Sequence, residues 1–225
     1  MEKLILRFCQ KINRQLLIVS ALAASLALTA CSSGAADDSS GIDSYTITSG
    51  SFSESSSTAI TGIGSVRFVN VMNGVFSSNS LALKAELDNS TNSVTAILNS
   101  NNTLMNSSSG GVAVTFTRSG ASVTGSIAVN GSSVTMNPSR LSFYVPTALD
   151  IIIEVHNISA TQSRVLIWRR DTTVYSAANA DIDTDNSTDY TGAYPLTGGS
   201  GQFYGLNVNN ARVTAATLGL PKVAN

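Results

Sequence analysis

Val112-Ala113-Val114-Thr115-Phe116-Thr117, then Ser119-Gly120, then Val123-Thr124-Gly125-Ser126-Ile127-Ala128-Val129, then Asn130-Gly131 is the stretch on which the fold turns. Val112, Val114 and Phe116 alternate with Ala113, Thr115 and Thr117, and Val123, Gly125, Ile127 and Val129 keep the same period on the way back. A period of two sorts side chains onto opposite faces of a β-strand, so each run has one face to bury. Ser119-Gly120 turns the chain between them. Asn130-Gly131 is a favoured two-residue hairpin turn, because both central residues must take positive φ. Val134 and Met136 start the next strand, and the whole reads as a meander.

The same period extends in both directions. Val66, Phe68 and Met72 share one face of a strand, with Arg67, Val69 and Val71 on the other. Leu81, Leu83, Ala85 and Leu87 alternate with Lys84 and Glu86, residues 88–92 turn, residues 94–98 return, and 99–111 form a polar loop. Leu141, Phe143 and Val145 make a short strand that ends at Pro146, which has no N–H for a ladder. Residues 150–155 and 164–170 are the most apolar pair, and Ile151-Ile152-Ile153 suggests a strand buried on both faces; the polar residues 156–163 read as the loop between them. Residues 173–175 read as a further strand, and 203–208 and 212–218 as two closing strands. No stretch after the N-terminal segment has a helical period. The expectation is an all-β, two-sheet antiparallel sandwich of about ten to thirteen strands.

Three pieces together resemble the concanavalin A-like jelly roll of lectins and laminin G domains: residues 112–131, residues 149–168 with His156 and Trp168, and Gly205-Leu206-Asn207-Val208 with Asn210-Ala211-Arg212-Val213. The resemblance implies a jelly-roll sandwich and, by family, glycan or protein binding. The glycanase acid motif of that family has no match in this chain.

The N-terminus carries an address. Lys3, Arg7, Lys11 and Arg14 against one acid, Glu2, precede an apolar run over residues 16–30, shorter than the roughly 20 residues a bilayer core requires. Leu28-Thr29-Ala30-Cys31 resembles the bacterial lipobox, which implies cleavage before Cys31 and its acylation. Ser32, rather than Asp, favours in that family the outer membrane, with the domain facing either the periplasm or the exterior. The expected organisation is a signal over 1–30, the acylated cysteine and a flexible tether over 31–61, and the β-domain over 62–225. A coil of about 25 residues reaches on the order of 25–30 Å, which stands the domain clear of the headgroups.

Of 13 basic and 14 acidic residues, four bases and one acid leave with the signal, so the remainder is mildly acidic and poor in charge. That argues against nucleic acid as a partner. Of the two cysteines Cys9 leaves with the signal and Cys31 is taken by lipid, which excludes a disulfide within the mature chain. A single histidine, His156, excludes the usual multi-His zinc site and reads as a strand-end residue with a satisfied hydrogen bond.

The remaining candidate chemistry gathers near residues 181–194. Asp181, Asp183, Asp185 and Asp189 offer hard oxygen ligands at a spacing that converges on Ca²⁺, although Asn186 and Gly192 stand where an EF-hand-like loop has Gly and Glu. The alternative is a solvated acidic loop. Asn186, Tyr190 and Tyr194 extend the set to a ligand: tyrosine rings cover the apolar face of a sugar, and Gly192 between them lets it approach the backbone. Trp168 reads as core, and Arg169-Arg170 as one outward and one snorkelling residue. Without a nucleophile in context or a carboxylate pair, the chain reads as non-enzymatic, requiring no cofactor other than that calcium. It is expected to bind glycan or an envelope protein. The other readings are an assembly lipoprotein that docks by strand addition and a polysaccharide-acting enzyme.

Overall fold

The computed structural model describes residues 41–69, 79–88, 91–105, 111–120, 122–134, 142–144, 148–159, 161–170, 172, 174–198 and 201–223. The expectations for Leu28, Thr29, Ala30 and Cys31, and for the strand residues Met72, Met136 and Val145, lie outside the described residues. The domain is a compact unit over Ser39–Asn225. Its strands are β1 (Tyr45–Ser55), β2 (Ile60–Phe68), β3 (Asn79–Glu86), β4 (Ser93–Ser100), β5 (Val112–Ser119), β6 (Ser122–Val129), β7 (Ser132–Ser133), β8 (Ser142–Tyr144), β9 (Ala148–Ser159), β10 (Gln162–Arg169), β11 (Ile182–Asp183), β12 (Leu196–Thr197) and β13 (Phe203–Gly219). Every ladder between them is antiparallel. Among the described residues the only helical element is a 3₁₀ turn at Ala177–Asn179.

β5 and β6 pair in the register the alternation requires, with Val114 opposite Ile127. Asn130 and Gly131 take φ of 51° and 81°, as the hairpin demands. The strands form one hydrogen-bonded path, β11-β10-β9-β3-β13-β4-β5-β6-β7. It folds into two layers because β13 belongs to both. One edge of β13 carries β2 from Gly205 to Val213. The other pairs with β4 from Phe203 to Asn210 and, past a bulge, with β3 from Arg212 to Gly219. The inner faces of the layers then meet in one apolar cluster, to which Val94, Val114 and Ile127 come from one layer and Leu83, Ile151 and Val165 from the other. This is an antiparallel β-sandwich with sheets joined through a shared strand.

Four local expectations are corrected. The domain begins well before residue 62: β1 lies within the stretch expected as tether, pairs with β2 along its length, and is Ser-rich because most of its side chains face water. Residues 203–208 and 212–218 are one bent strand. The loop expected over 156–163 is a tight turn, since β9 runs to Ser159 and β10 begins at Gln162. Finally, Val174 and Tyr175 are not in a strand. Residues 174–180 instead lie over the outer face of the second layer, where Tyr175, Ala177 and Ala180 pack on Ala82, Ile152, Leu166 and Trp168. The Trp168 Nε1–H donates to the Ser176 carbonyl at 2.9 Å and the Tyr175 ring meets the indole edge-on at 5.8 Å. This cover is why three isoleucines in succession can all be buried.

The C-terminus completes the cover. Val223 joins the Trp168 cluster, and the backbone N–H groups of Lys222 and Val223 donate to the buried Glu154 carboxylate at 2.6 and 3.2 Å. His156 Nε2 bonds the same carboxylate, so the expected satisfied histidine is present, with a glutamate as its partner.

At the other edge, Gly50 lies opposite Gly64 with φ of 93°, and a Cβ there would run into the Ile63 carbonyl and the Gly64 backbone. A side chain at Gly50 meets both a conformational and a steric penalty. Gly50→Ala is expected to cost at least about 1 kcal/mol, seen as a melting temperature lower by about 2–4 °C for a domain of this size. An unchanged melting curve would show that β1 contributes nothing to the cooperative unit.

Candidate functional site

β11 adds to the free edge of β10, placing Asp183 opposite Leu166. Thr184 continues the pairing with its backbone N–H on the Val165 carbonyl, at 3.1 Å, and its hydroxyl on the Val165 N–H, at 2.9 Å. Ile182 anchors the segment in the core. The chain then turns over residues 185–189, where the Asn186 carbonyl accepts the N–H groups of Asp189 and Tyr190, each at 2.9 Å.

Arg164 organises the polar side of this segment. It stands opposite His156 on β9 and points outward, in alternation with the buried Val165 and Ile167. Its guanidinium takes both oxygens of Asp183, Nε to Oδ1 at 2.8 Å and Nη2 to Oδ2 at 2.6 Å, and lies 3.8 Å from Asp185 Oδ2. Hydrogen bonding to Asp183 pushes Arg164 above its ordinary pKa, against burial and with help from the charges of Asp183 and Asp185. Tyr194 completes the group, partly exposed at the surface. Burial, then the negative Asp185, pushes its phenol up, and Arg164 opposes the shift.

The structure separates what the sequence grouped. Asp181 binds Arg169 through the backbone N–H at 2.9 Å and the guanidinium at 3.1 Å. Asp189 is buried and accepts the Asp183 N–H at 3.0 Å. Asp183 faces Arg164, and Asp185 is half-exposed beside it. Among the described residues no group of three or more His, Cys, Asp or Glu side chains is placed to hold a metal ion. Asn186 is exposed, but its side-chain oxygen accepts the Thr188 N–H at 2.9 Å. Tyr190 is no platform: its ring is in the core, its hydroxyl donates to the Ala193 carbonyl at 2.9 Å, and Gly192 is small because that ring occupies the space of a Cβ. Of the expected ligand residues, Asp185, Asn186 and Tyr194 remain at the surface.

Arg164 was not among the sequence candidates. The signal was a guanidinium at the head of the apolar run over residues 165–168, which needs a carboxylate partner if its head is to stay near the sheet. Tyr204 is likewise interior. Its hydroxyl donates to the Asn99 side chain and accepts from Asn79, while Asn99 donates to Asn157 at 2.9 Å.

No protein-family model matches the chain, and no curated protein matches it in sequence. Among solved structures, the carbohydrate-binding module CBM66 from Bacillus subtilis is similar with a TM-score of 0.42 and 11% identity over 78% of this chain and 95% of that one.

Because the Arg164 guanidinium occupies the position between carboxylates that a cation would take, 1 mM-range Ca²⁺ is expected to leave the melting temperature unmoved. A rise with Ca²⁺ would restore the calcium reading of Asp181, Asp183, Asp185 and Asp189. Arg164→Gln leaves the buried Asp183 carboxylate without its charge partner; with a guanidinium that is partly solvated, the cost is about 1–3 kcal/mol. It is checked by urea unfolding, and a change below about 0.5 kcal/mol refutes the pairing as a structural anchor.

Proposed function

We propose that this chain is a lipid-anchored bacterial envelope protein whose β-sandwich binds glycan without catalysis, at the surface formed by Tyr194, Asp185 and Arg164. The observation that carries the proposal is the conjunction at that surface: an exposed tyrosine ring beside a half-exposed carboxylate and a guanidinium already neutralised by Asp183. A ring offers the apolar face of a sugar a stacking surface, and Asp185 and the outer N–H groups of Arg164 meet its hydroxyls. The Asn186 amide nitrogen lies within the same exposed turn. Both Asp183 oxygens are engaged by Arg164, which supports binding over hydrolysis.

One stacked aromatic contributes about 0.5–1.5 kcal/mol, so the affinity for a single sugar is weak. Many copies held on one membrane by acylated Cys31 supply the avidity. The outer membrane, read from Ser32, is the proposed site of anchoring.

A second reading is supported by β1. Among the described residues it pairs only with β2, and its residues 45–53 carry no charge. Such an edge suits strand addition to an envelope partner.

Isothermal titration of the domain with envelope polysaccharide is expected to show binding that Tyr194→Ala and Asp185→Ala each weaken by about fivefold or more, which is about 1 kcal/mol. Equal binding by all three proteins would remove the Tyr194 surface from the proposal, and binding by none would move the function to the β1 edge. Separately, Cys31→Ala is expected to abolish incorporation of labelled fatty acid and to release the protein from membranes. Labelling that survives the substitution would remove the anchor from the proposal.

A further inference from the structure

The two layers present different outer faces. That of β3, β9 and β10 is covered by residues 174–180 and by the C-terminal residues. In the other layer Ser93, Thr95, Thr115 and Ser126, which alternate with the core residues Val94, Val114 and Ile127, bear hydroxyls, and Asn207 and Asn209 beside the core residue Val208 bear amides. The strand register aligns Asn207, Thr95, Thr115 and Ser126 in one line across β13, β4, β5 and β6, and the line ends at β2 on Ser65, a fully buried hydroxyl bonded by Asn207. Two residues along the strands, Asn209, Ser93, Thr117 and Thr124 form a second line. Neither line contains a charged residue.

The geometry is regular because the sheet is regular. Neighbouring residue positions are roughly 4.8 Å apart across strands and about 6.7 Å apart along them. Thr95 and Thr115 share a hydrogen bond of 2.8 Å, and Asn207 donates to Ser65 at 3.0 Å, so the side chains are held in position. At one side the face is bounded by Met105, seated on Ile97, Ala113, Ala128 and Phe203. At the other lies the charged pair of Arg212 and Glu54.

We infer that this face is a binding surface for an uncharged, hydroxyl-rich polymer, a neutral polysaccharide laid across the strands. Three classes of partner meet it differently. An apolar protein surface would strip water from the hydroxyls and amides and return no hydrogen bonds, which is costly. An anionic polymer finds no cation in either line; the arginines stand at the margins, Arg67 over the Phe203 ring and Arg212 paired with Glu54. A neutral polyol both donates and accepts, as do Ser, Thr and the Asn amide, so each bond to water is replaced in kind. Each contact is weak, and the repeat makes them simultaneous along a chain of repeating sugars.

This inference is independent of the Tyr194 surface, and the test separates them. Full-length protein in detergent is sedimented with insoluble neutral β-glucan and with mannan, and with calcium alginate gel as the anionic control. The triple variant Thr95→Val, Thr115→Val and Thr117→Val keeps the β-branched shapes and removes three hydroxyls; Thr115→Lys places a charge and a long stem on the face instead. Both are expected to weaken binding to at least one neutral polymer about tenfold or more, with melting temperatures near that of the wild type. The inference is overturned by wild-type binding to neither neutral polymer, by equal binding of the wild type and the two face variants, by preference for alginate, or by a loss seen only in Tyr194→Ala. Should the triple variant fail to fold, Thr115→Lys alone decides.

Discussion

The structure depends on the hydrogen bonding of β13 to three strands at once. Asn209 and Asn210 both stand opposite Ser93, and Asn210 has a φ of 54°. This two-against-one arrangement is a β-bulge, which sharpens the local twist and redirects the strand. Before it the strand is bonded to β4, and after it to β3. Without the extra residue β3 and β4 would compete for one edge, and the inner faces of the layers would have nothing to meet. Ala211, fully buried just past the bend, is small where the chain passes through the core.

A second constraint lies at one end of that core. Asn79, Asn99, Asn157 and Tyr204 come from β3, β4, β9 and β13 and form a chain of hydrogen bonds in place of apolar contacts. Burial pushes the Tyr204 phenol far above its usual range, so it stays neutral and donates. A slip of one residue in any of the four strands would leave buried polar groups unpartnered, so the network fixes register where apolar packing alone tolerates alternatives. It joins the start or end of strands that are distant in sequence.

Much of the fold was legible because a period of two is a local property. The β5–β6 hairpin, β3, β4 and the apolar pair β9–β10 follow from alternation and turn residues alone. β1 was not, since a strand with little to bury has few apolar residues to alternate, and Ser-rich composition is shared by tethers and by solvent-facing edge strands. Nor was the continuity of β13 legible: Asn209-Asn210 reads as a turn, and only pairing on both sides shows that the chain bends and continues. At the candidate site Tyr194 and Asp185 were visible as residue types. The loss of Tyr190 to the core and the capture of Asp183 by Arg164 were not, because both depend on residues distant in sequence, the β10 edge and the packed interior, that no spacing within 181–194 reveals. The outward hydroxyl lines were hidden for the same reason: no strand shows more than two of their members, and register alone aligns them.

The position of β13 in the chain governs the order of events during synthesis. Among the described residues it is the last strand in the chain, and β2, β3 and β4 all wait for it, so the contacts that close the sandwich span more than a hundred residues. Hairpins such as β5–β6 can form early, but the layers have no common strand until β13 has emerged from the ribosome. A topology of this kind folds slowly, because loop closure over long separations precedes the contacts that reward it.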